Sequence, residues 1–200
     1  MRQALRPLAG DDVGRLVAAY HRAEPEVEEE AFRPYREVLA EALRRAAARE
    51  RIDLPPGRDG VLAETLPDWP VFPDVRDALG RLRSDGWRLG ILSNVDRDLI
   101  AETRERLDVP FDLVVTAQDV RSYKPAPGHF DRFRAETAVA SGRWVHVAQS
   151  RFHDIAAVAR LGIPSVWIDR QGEGGDPAPA ARALRGVARL PETLAELVAA

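Results

Sequence analysis

Ser93-Asn94, Lys124 and Asp154 are the residues of this chain best placed to do chemistry. Ser93-Asn94 ends the apolar run Leu89–Leu92 and stands just ahead of a helical pattern that starts near Asp96. A hydroxyl and backbone N–H groups at a helix N-terminus make an anion site; the same pair could equally just cap that helix. Lys124 lies in Tyr123-Lys124-Pro125-Ala126-Pro127, where flanking prolines stiffen the backbone and can aim an ammonium group. So held, it would neutralise a carboxylate nucleophile or an anionic substrate; the plainer reading is a solvated surface lysine. Asp154 follows Val145–His153 at a strand-to-helix junction. A carboxylate there can bind a divalent metal, orient the lysine, or stabilise the first helical turn by about 0.3–1 kcal/mol. His146, inside the strand pattern, reads as a structural histidine, and His153 as a surface residue with general base as the alternative.

Composition sharpens the choice. The 29 basic residues include one lysine, Lys124, and the chain has one asparagine, Asn94. In a chain that otherwise uses arginine throughout, these two single residues draw attention. A net charge of −3 gives no basic face, so nucleic acid is not an expected partner. The absence of cysteine excludes thiol catalysis, thiolate metal sites and disulfides. With 45% hydrophobic and 30% charged residues the composition is that of an ordinary globular protein. No apolar run has the length of a membrane span, and the N-terminus lacks a secretory apolar segment, so the expected location is cytoplasmic with no membrane partner.

The elements that must position these residues follow from periodicity. Residues 1–66 read as helical and polar, with apolar side chains at helical spacing in Asp11–His21 and Phe32–Arg51. Asp11 and Asp12 suit a cap for the first stretch, and Pro34 suits the first turn of the second. The acidic run Glu24–Glu30 fits a solvated face, and Leu66-Pro67-Asp68-Trp69-Pro70 marks a linker. Beyond it, strands are expected at Arg88–Leu92, Leu113–Thr116, Trp144–Ala148 and Ser165–Ile168. Helices are expected at Asp74–Ser84, Asp96–Leu107, Gly128–Ala140 and Asp154–Leu161, with a flexible loop at Gly172–Pro179 and a terminal helix at Pro191–Ala200. Apolar strands alternating with helices predict an α/β core built on a Rossmann-like parallel sheet covered on both faces. In such sheets ligands bind beyond the C-terminal strand ends, where Ser93-Asn94, Lys124 and Asp154 all fall. No G-x-G-x-x-G follows a strand, which argues against a dinucleotide.

In this order and spacing, Leu92-Ser93-Asn94, Lys124-Pro125 and Gln149…Asp154-Ile155 resemble the second, third and fourth motifs of the haloacid dehalogenase superfamily. The wording is closest to its type II 2-haloacid dehalogenase branch, and the likeness extends over essentially the whole chain. The resemblance implies a helical cap at residues 1–70 and an α/β core at 71–200. It implies hydrolysis of a small anionic substrate through an aspartyl ester, with catalytic roles for Lys124 and Asp154 and substrate binding by Ser93 and Asn94.

Departures from the family pattern qualify those implications. The family's nucleophilic aspartate stands in a D-x-x-G-T motif at the end of a central first strand, and no such motif occurs in these residues. Met1–Leu5 resembles the helix that follows it, so the expectation is a chain start downstream of the true one, or a truncated gene. The sheet would then lack its central strand, with marginal stability and aggregation expected. Family phosphatases carry a second acid five residues before the equivalent of Asp154, where the pair helps to hold Mg²⁺. Here that residue is Gln149, which favours chemistry with no cofactor and no metal, Mg²⁺ entering only for a small-metabolite phosphatase. Family dehalogenases also have Tyr where Phe130 stands, and Ser and Asn where Gln149 and Arg151 stand; Arg22 is a candidate for the arginine that grips substrate. An inactive remnant that binds small anions or a protein partner is the alternative of another class, and the chain could form an oligomer.

Overall fold

The computed structural model describes residues 1–172 and 174–199, so Glu173 of the expected loop and Ala200 of the expected terminal helix lie outside the described residues. The chain gathers into two compact units. One comprises residues 1–70, 94–103 and 116–123; the other comprises 71–93, 104–115 and the chain from 124 onward.

In the first unit, apolar periodicity builds α1 (Arg2–Ala9), α2 (Val13–Glu28), α3 (Tyr35–Glu50) and α4 (Val61–Thr65). Leu16, Ala19, Tyr20, Ala23 and Val27 of α2 meet Val38, Leu39, Ala42, Leu43 and Ala46 of α3, the i, i+3, i+4 stripe of an amphipathic pair. Leu5, Leu16, Tyr20 and Leu43 are fully buried. This stretch, polar by composition, therefore has its own core, each such side chain contributing about 1.5–3 kcal/mol. Asp12 stands at the start of α2 but makes no capping bond, its carboxylate accepting instead from Arg15 at 3.0 Å.

The second unit is a layered α/β arrangement. β1 (Gly90–Ser93) pairs with β2 (Leu113–Thr116), while β3 (His146–Ala148), β4 (Ser165–Ile168) and β5 (Arg182–Leu184) form a separate parallel sheet. Side-chain alternation sorts its neighbours. Val145 and Val147 pack with Val166, Ile168, Leu82 of α5 (Pro73–Ser84) and Leu190 and Leu194 of α10 (Leu190–Ala199). Trp144 turns to the other face, against Phe130 of α8 (Gly128–Thr137) and Ala157 and Val158 of α9 (Ala156–Arg160). Helices on both faces of a parallel sheet are the expected α/β architecture. No described helix is long and apolar enough to cross a membrane.

Several boundaries differ from the sequence pattern for local reasons. β1 starts at Gly90 rather than Arg88, because Leu89 is held by Asp112 instead of by a neighbouring strand. Its N–H donates to the Asp112 carboxylate at 2.7 Å and its carbonyl accepts from the Asp112 N–H at 2.8 Å. α8 stops at Thr137, where Ala138 turns left-handed at φ 53°, and β3 is confined to His146–Ala148. β5 was not expected, being three residues long behind a Gly- and Pro-rich loop. Gly90 is required by contact: a Cβ there would lie 2.6 Å from the Phe133 ring. Gly86, at φ 87°, supplies the left-handed turn that closes α5, with the Trp87 N–H returning to the Leu82 carbonyl at 3.0 Å.

Candidate active site

The C-terminal ends of β1 and β3 deliver the second unit's polar residues. Lys124 is buried, with 7% of its surface exposed, so the surface alternative is set aside. Its Nζ donates to Asp154 Oδ1 at 2.6 Å and to the Leu92 carbonyl, on β1, at 2.9 Å.

Asp154 does not begin an α-helix as the pattern suggested. It sits in one wide π-turn, Arg151–Ile155, which precedes α9. Ser150 organises that turn: its carbonyl accepts from the N–H groups of both Asp154 and Ile155 at 3.2 Å, and its hydroxyl accepts from the His153 N–H at 3.1 Å. Such turns recur at functional sites because they re-aim one side chain inside a helix start. Here the side chain aimed inward is Asp154, which also receives His146 Nε2 on the same Oδ1 at 2.8 Å. Burial pushes the Asp154 carboxyl upward, but the hydrogen bond from His146 and the nearby Lys124 charge outweigh it and hold the pKa down to about 2.

His129, on the first turn of α8, places Nε2 3.0 Å from the Ser93 carbonyl. The last two carbonyls of β1 are therefore met by Lys124 and His129. Ser93 is half-buried. Gln149 turns its side chain to solvent while its carbonyl accepts from Trp167 Nε1 at 3.0 Å. Arg151 lies 4.7 Å over the Trp167 ring and donates to the carbonyls of Asp176 and Ala178 at 2.9 and 3.1 Å. Phe130, at the position where the resembled dehalogenases have Tyr, is a fully buried core residue beside Trp144 and His146.

Asn94 belongs to the first unit, where its Nδ2 donates to Glu28 Oε1 at 3.2 Å. Neither Ser93 nor Asn94 caps the following helix, since α6 (Arg97–Leu107) starts three residues past Asn94. Asp96 is the residue with a capping role, and it serves α3. Its carboxylate accepts from the Tyr35 and Arg36 N–H groups at 2.9 and 3.0 Å, satisfying two of that helix's open donors. Arg22, the candidate substrate arginine, is exposed and 3.4 Å from Glu50. Of the four residues singled out in the sequence, the structure brings Lys124 and Asp154 into direct contact. The contacts of His146 and His129 at this point and the helix contact of Asp96 carry no spacing signal in the sequence pattern.

A family model described as haloacid dehalogenase-like hydrolase matches residues 21–168. The chain belongs to that family. Among curated relatives, the phosphoglycolate phosphatase of Escherichia coli strain K12 is 34% identical over 100 residues, and that of Salmonella paratyphi A is 33% identical over 100. These matches span 49% of this chain but only 39% of the phosphatases. Among solved structures, an L-2-haloacid dehalogenase aligns with TM-score 0.86 at 22% identity, covering 100% of this chain and 91% of the other. The L-2-haloacid dehalogenase of Xanthobacter autotrophicus aligns with TM-score 0.83 at 15% identity, covering 98% and 91%. A phosphatase of the same superfamily from Thermococcus onnurineus aligns with TM-score 0.66 at 23% identity, covering 96% and 86%. At these identities the structural likenesses establish the fold.

Proposed function

We propose that the chain serves metal-independent hydrolysis of a small anionic substrate, in the manner of a 2-haloacid dehalogenase. The observation that carries this reading is the desolvated Lys124 ammonium at the end of β1, 2.6 Å from Asp154. A cation held in a dry site stabilises a neighbouring carboxylate or developing negative charge far more than one in water. In this reaction an aspartate carboxylate attacks C2 of the substrate and the halide departs with the bonding electrons. Water then cleaves the ester to a 2-hydroxy acid, restoring the carboxylate and releasing a proton. The family's D-x-x-G-T motif does not occur in the sequence, and this reading assigns the attacking aspartate to no residue of it. The chain contributes Lys124 as the counter-charge, Asp154 as the anchor of Lys124, and Ser93 and Asn94 as ligands for the substrate carboxylate or leaving group. Residues 1–70 act as the helical cap and 71–200 as the core. A structure of this fold that holds chloropropionic acid covalently bound supports the reading.

A phosphatase acting on a small phosphorylated metabolite is the second reading, favoured by the 34% identity to phosphoglycolate phosphatase. That chemistry implies Mg²⁺, which takes oxygen ligands, chiefly carboxylates. The donors present do not fit it: the residue five before Asp154 is Gln149, and Asp154 Oδ1 already accepts from Lys124 and His146. Calorimetric titration with 2-chloropropionate and with phosphoglycolate, each in EDTA and in Mg²⁺, tests the two readings. Binding of 2-chloropropionate in EDTA, weakened by Ser93→Ala, is the expected result. Phosphoglycolate bound only with Mg²⁺ would put the phosphatase in its place, and silence with both ligands would leave an inert or partner-binding chain.

A further inference from the structure

We infer that His146 is a positioning residue of this site, whose Nε2–H fixes the Asp154 carboxylate so that Oδ1 is presented to Lys124. The inference rests on the site proposed above but concerns a residue outside the four motif positions. His146 opens β3, with its backbone N–H donating to the Pro164 carbonyl at 2.9 Å and its side chain buried. The imidazole is held edge-on by Phe130 and Trp144, with ring centroids at 5.6 and 6.4 Å and interplanar angles of 77° and 73°. A histidine needed only for packing would have no reason to direct its polar edge at the acid of the site. This one places Nε2 2.8 Å from Asp154 Oδ1.

Two donors on one oxygen make the arrangement specific. A carboxylate oxygen offers two lone pairs, and Lys124 and His146 occupy both of those on Oδ1. Rotation of the carboxyl group would break both bonds together, so the histidine locks the acid in the orientation that the lysine needs. Because an ionised carboxylate only accepts, the imidazole donates from Nε2 in either of its charge states. The need for such a lock follows from the backbone, since Asp154 sits in a single wide turn rather than a regular α-helix. Asp154, itself paired with Lys124, is the charged group in contact with the ring among the described residues; Phe130 from α8 and Trp144 ahead of β3 bring no charge.

The lone lysine supplies the test. Labelling with ¹⁵N-lysine gives the 200-residue chain one Nζ signal, and the exchange rate of its protons with water reports how firmly the ammonium is held. The rate is compared among the unsubstituted chain, His146→Phe, which keeps ring volume but donates nothing, and His146→Gln, whose amide reaches as far as Nε2. The expected result is exchange faster by about tenfold or more in His146→Phe and a return to within about twofold in His146→Gln, the size of effect that goes with a charge-assisted hydrogen bond. Backbone amide spectra show that each variant is folded. Should His146→Phe unfold, His146→Asn replaces it, its side chain being too short to reach Oδ1. Unchanged exchange in the disrupted variant overturns the role of His146 and leaves the Lys124–Asp154 pair standing. A rate typical of an exposed lysine in the unsubstituted chain overturns the pair itself, and with it the proposed site.

Discussion

Replacing Asp154 by asparagine leaves the Lys124 ammonium buried with a neutral amide in place of its counter-ion. The two side chains are only 9% and 8% exposed, so water cannot make good the loss, and breaking one half of such a pair costs about 3–5 kcal/mol. Acidity separates this effect from general damage. Burial alone would raise the Asp154 carboxyl, but His146 and Lys124 bring it from 3.8 down to about 2. A group whose folded-state pKa lies below its unfolded value stabilises the fold above that unfolded value and loses the contribution as pH falls through the folded one. The window is therefore about pH 4 down to about pH 2, and the shift corresponds to about 2 kcal/mol. At about pH 6 the unsubstituted chain should exceed Asp154→Asn by about 3–5 kcal/mol, the gap narrowing by about 2 kcal/mol as pH falls to about 2 and Asp154 takes up a proton, approaching the neutrality of asparagine. Taking the difference cancels other acids with lowered pKa values, such as Asp74, Asp98, Asp112 and Asp119. Urea unfolding of both proteins across this range measures it. A gap below about 1 kcal/mol at neutral pH, or one that stays constant with pH, would refute the buried pair as described.

Three further substitutions probe the framework. Asp96→Ala removes the acceptor for the Tyr35 and Arg36 N–H groups and should cost about 0.5–2 kcal/mol in urea unfolding, with faster hydrogen exchange in the first turn of α3 and a smaller loss for Asp96→Asn. Gly90→Ala drives a methyl group into the Phe133 ring and should cost about 1–3 kcal/mol, partly recovered by Phe133→Leu in the same chain; no loss would mean that β1 and α8 are less closely packed than the structure shows. Arg151→Ala frees the carbonyls of Asp176 and Ala178, so cleavage in that loop by a protease should accelerate while global stability falls by only about 1 kcal/mol.

The parts of this molecule that could be read from sequence are those set by repeating patterns. The apolar strands and the helices between them gave the layered α/β core, and placing polar residues at strand ends brought Lys124 and Asp154 to one point. His146 shows where that logic stops. A histidine within a strand carries no spacing signal, and its eight-residue separation from Asp154 becomes a 2.8 Å contact only because a wide turn, not an α-helix, follows β3. Parity was the available clue, since His146 points to the same face as Trp144 and away from Val145 and Val147. Asp96 was hidden for a related reason: it stands directly before α6, as a local cap would, yet gives its carboxylate to a helix sixty residues earlier in the chain. β5 was missed because three residues are too few to show a period.

The survival of one lysine in an arginine-rich chain has a physical reason in this geometry. The group at position 124 reaches two oxygens, Leu92 O and Asp154 Oδ1, from one nitrogen in a buried pocket. An ammonium does this with protons that point in several directions from a single atom. A guanidinium presents its donors as a wide planar fork, suited to a carboxylate whose two oxygens are both open to it. Here Oδ1 is already shared with His146, and the second acceptor is the Leu92 backbone carbonyl on β1. An arginine at 124 would have to displace the imidazole or the strand end to use its fork, leaving a buried donor unmet at a cost of about 1–3 kcal/mol. The compact charge, the histidine that orients its partner and the wide turn that aims the acid therefore depend on one another. Exchanging lysine for arginine is not conservative at this position.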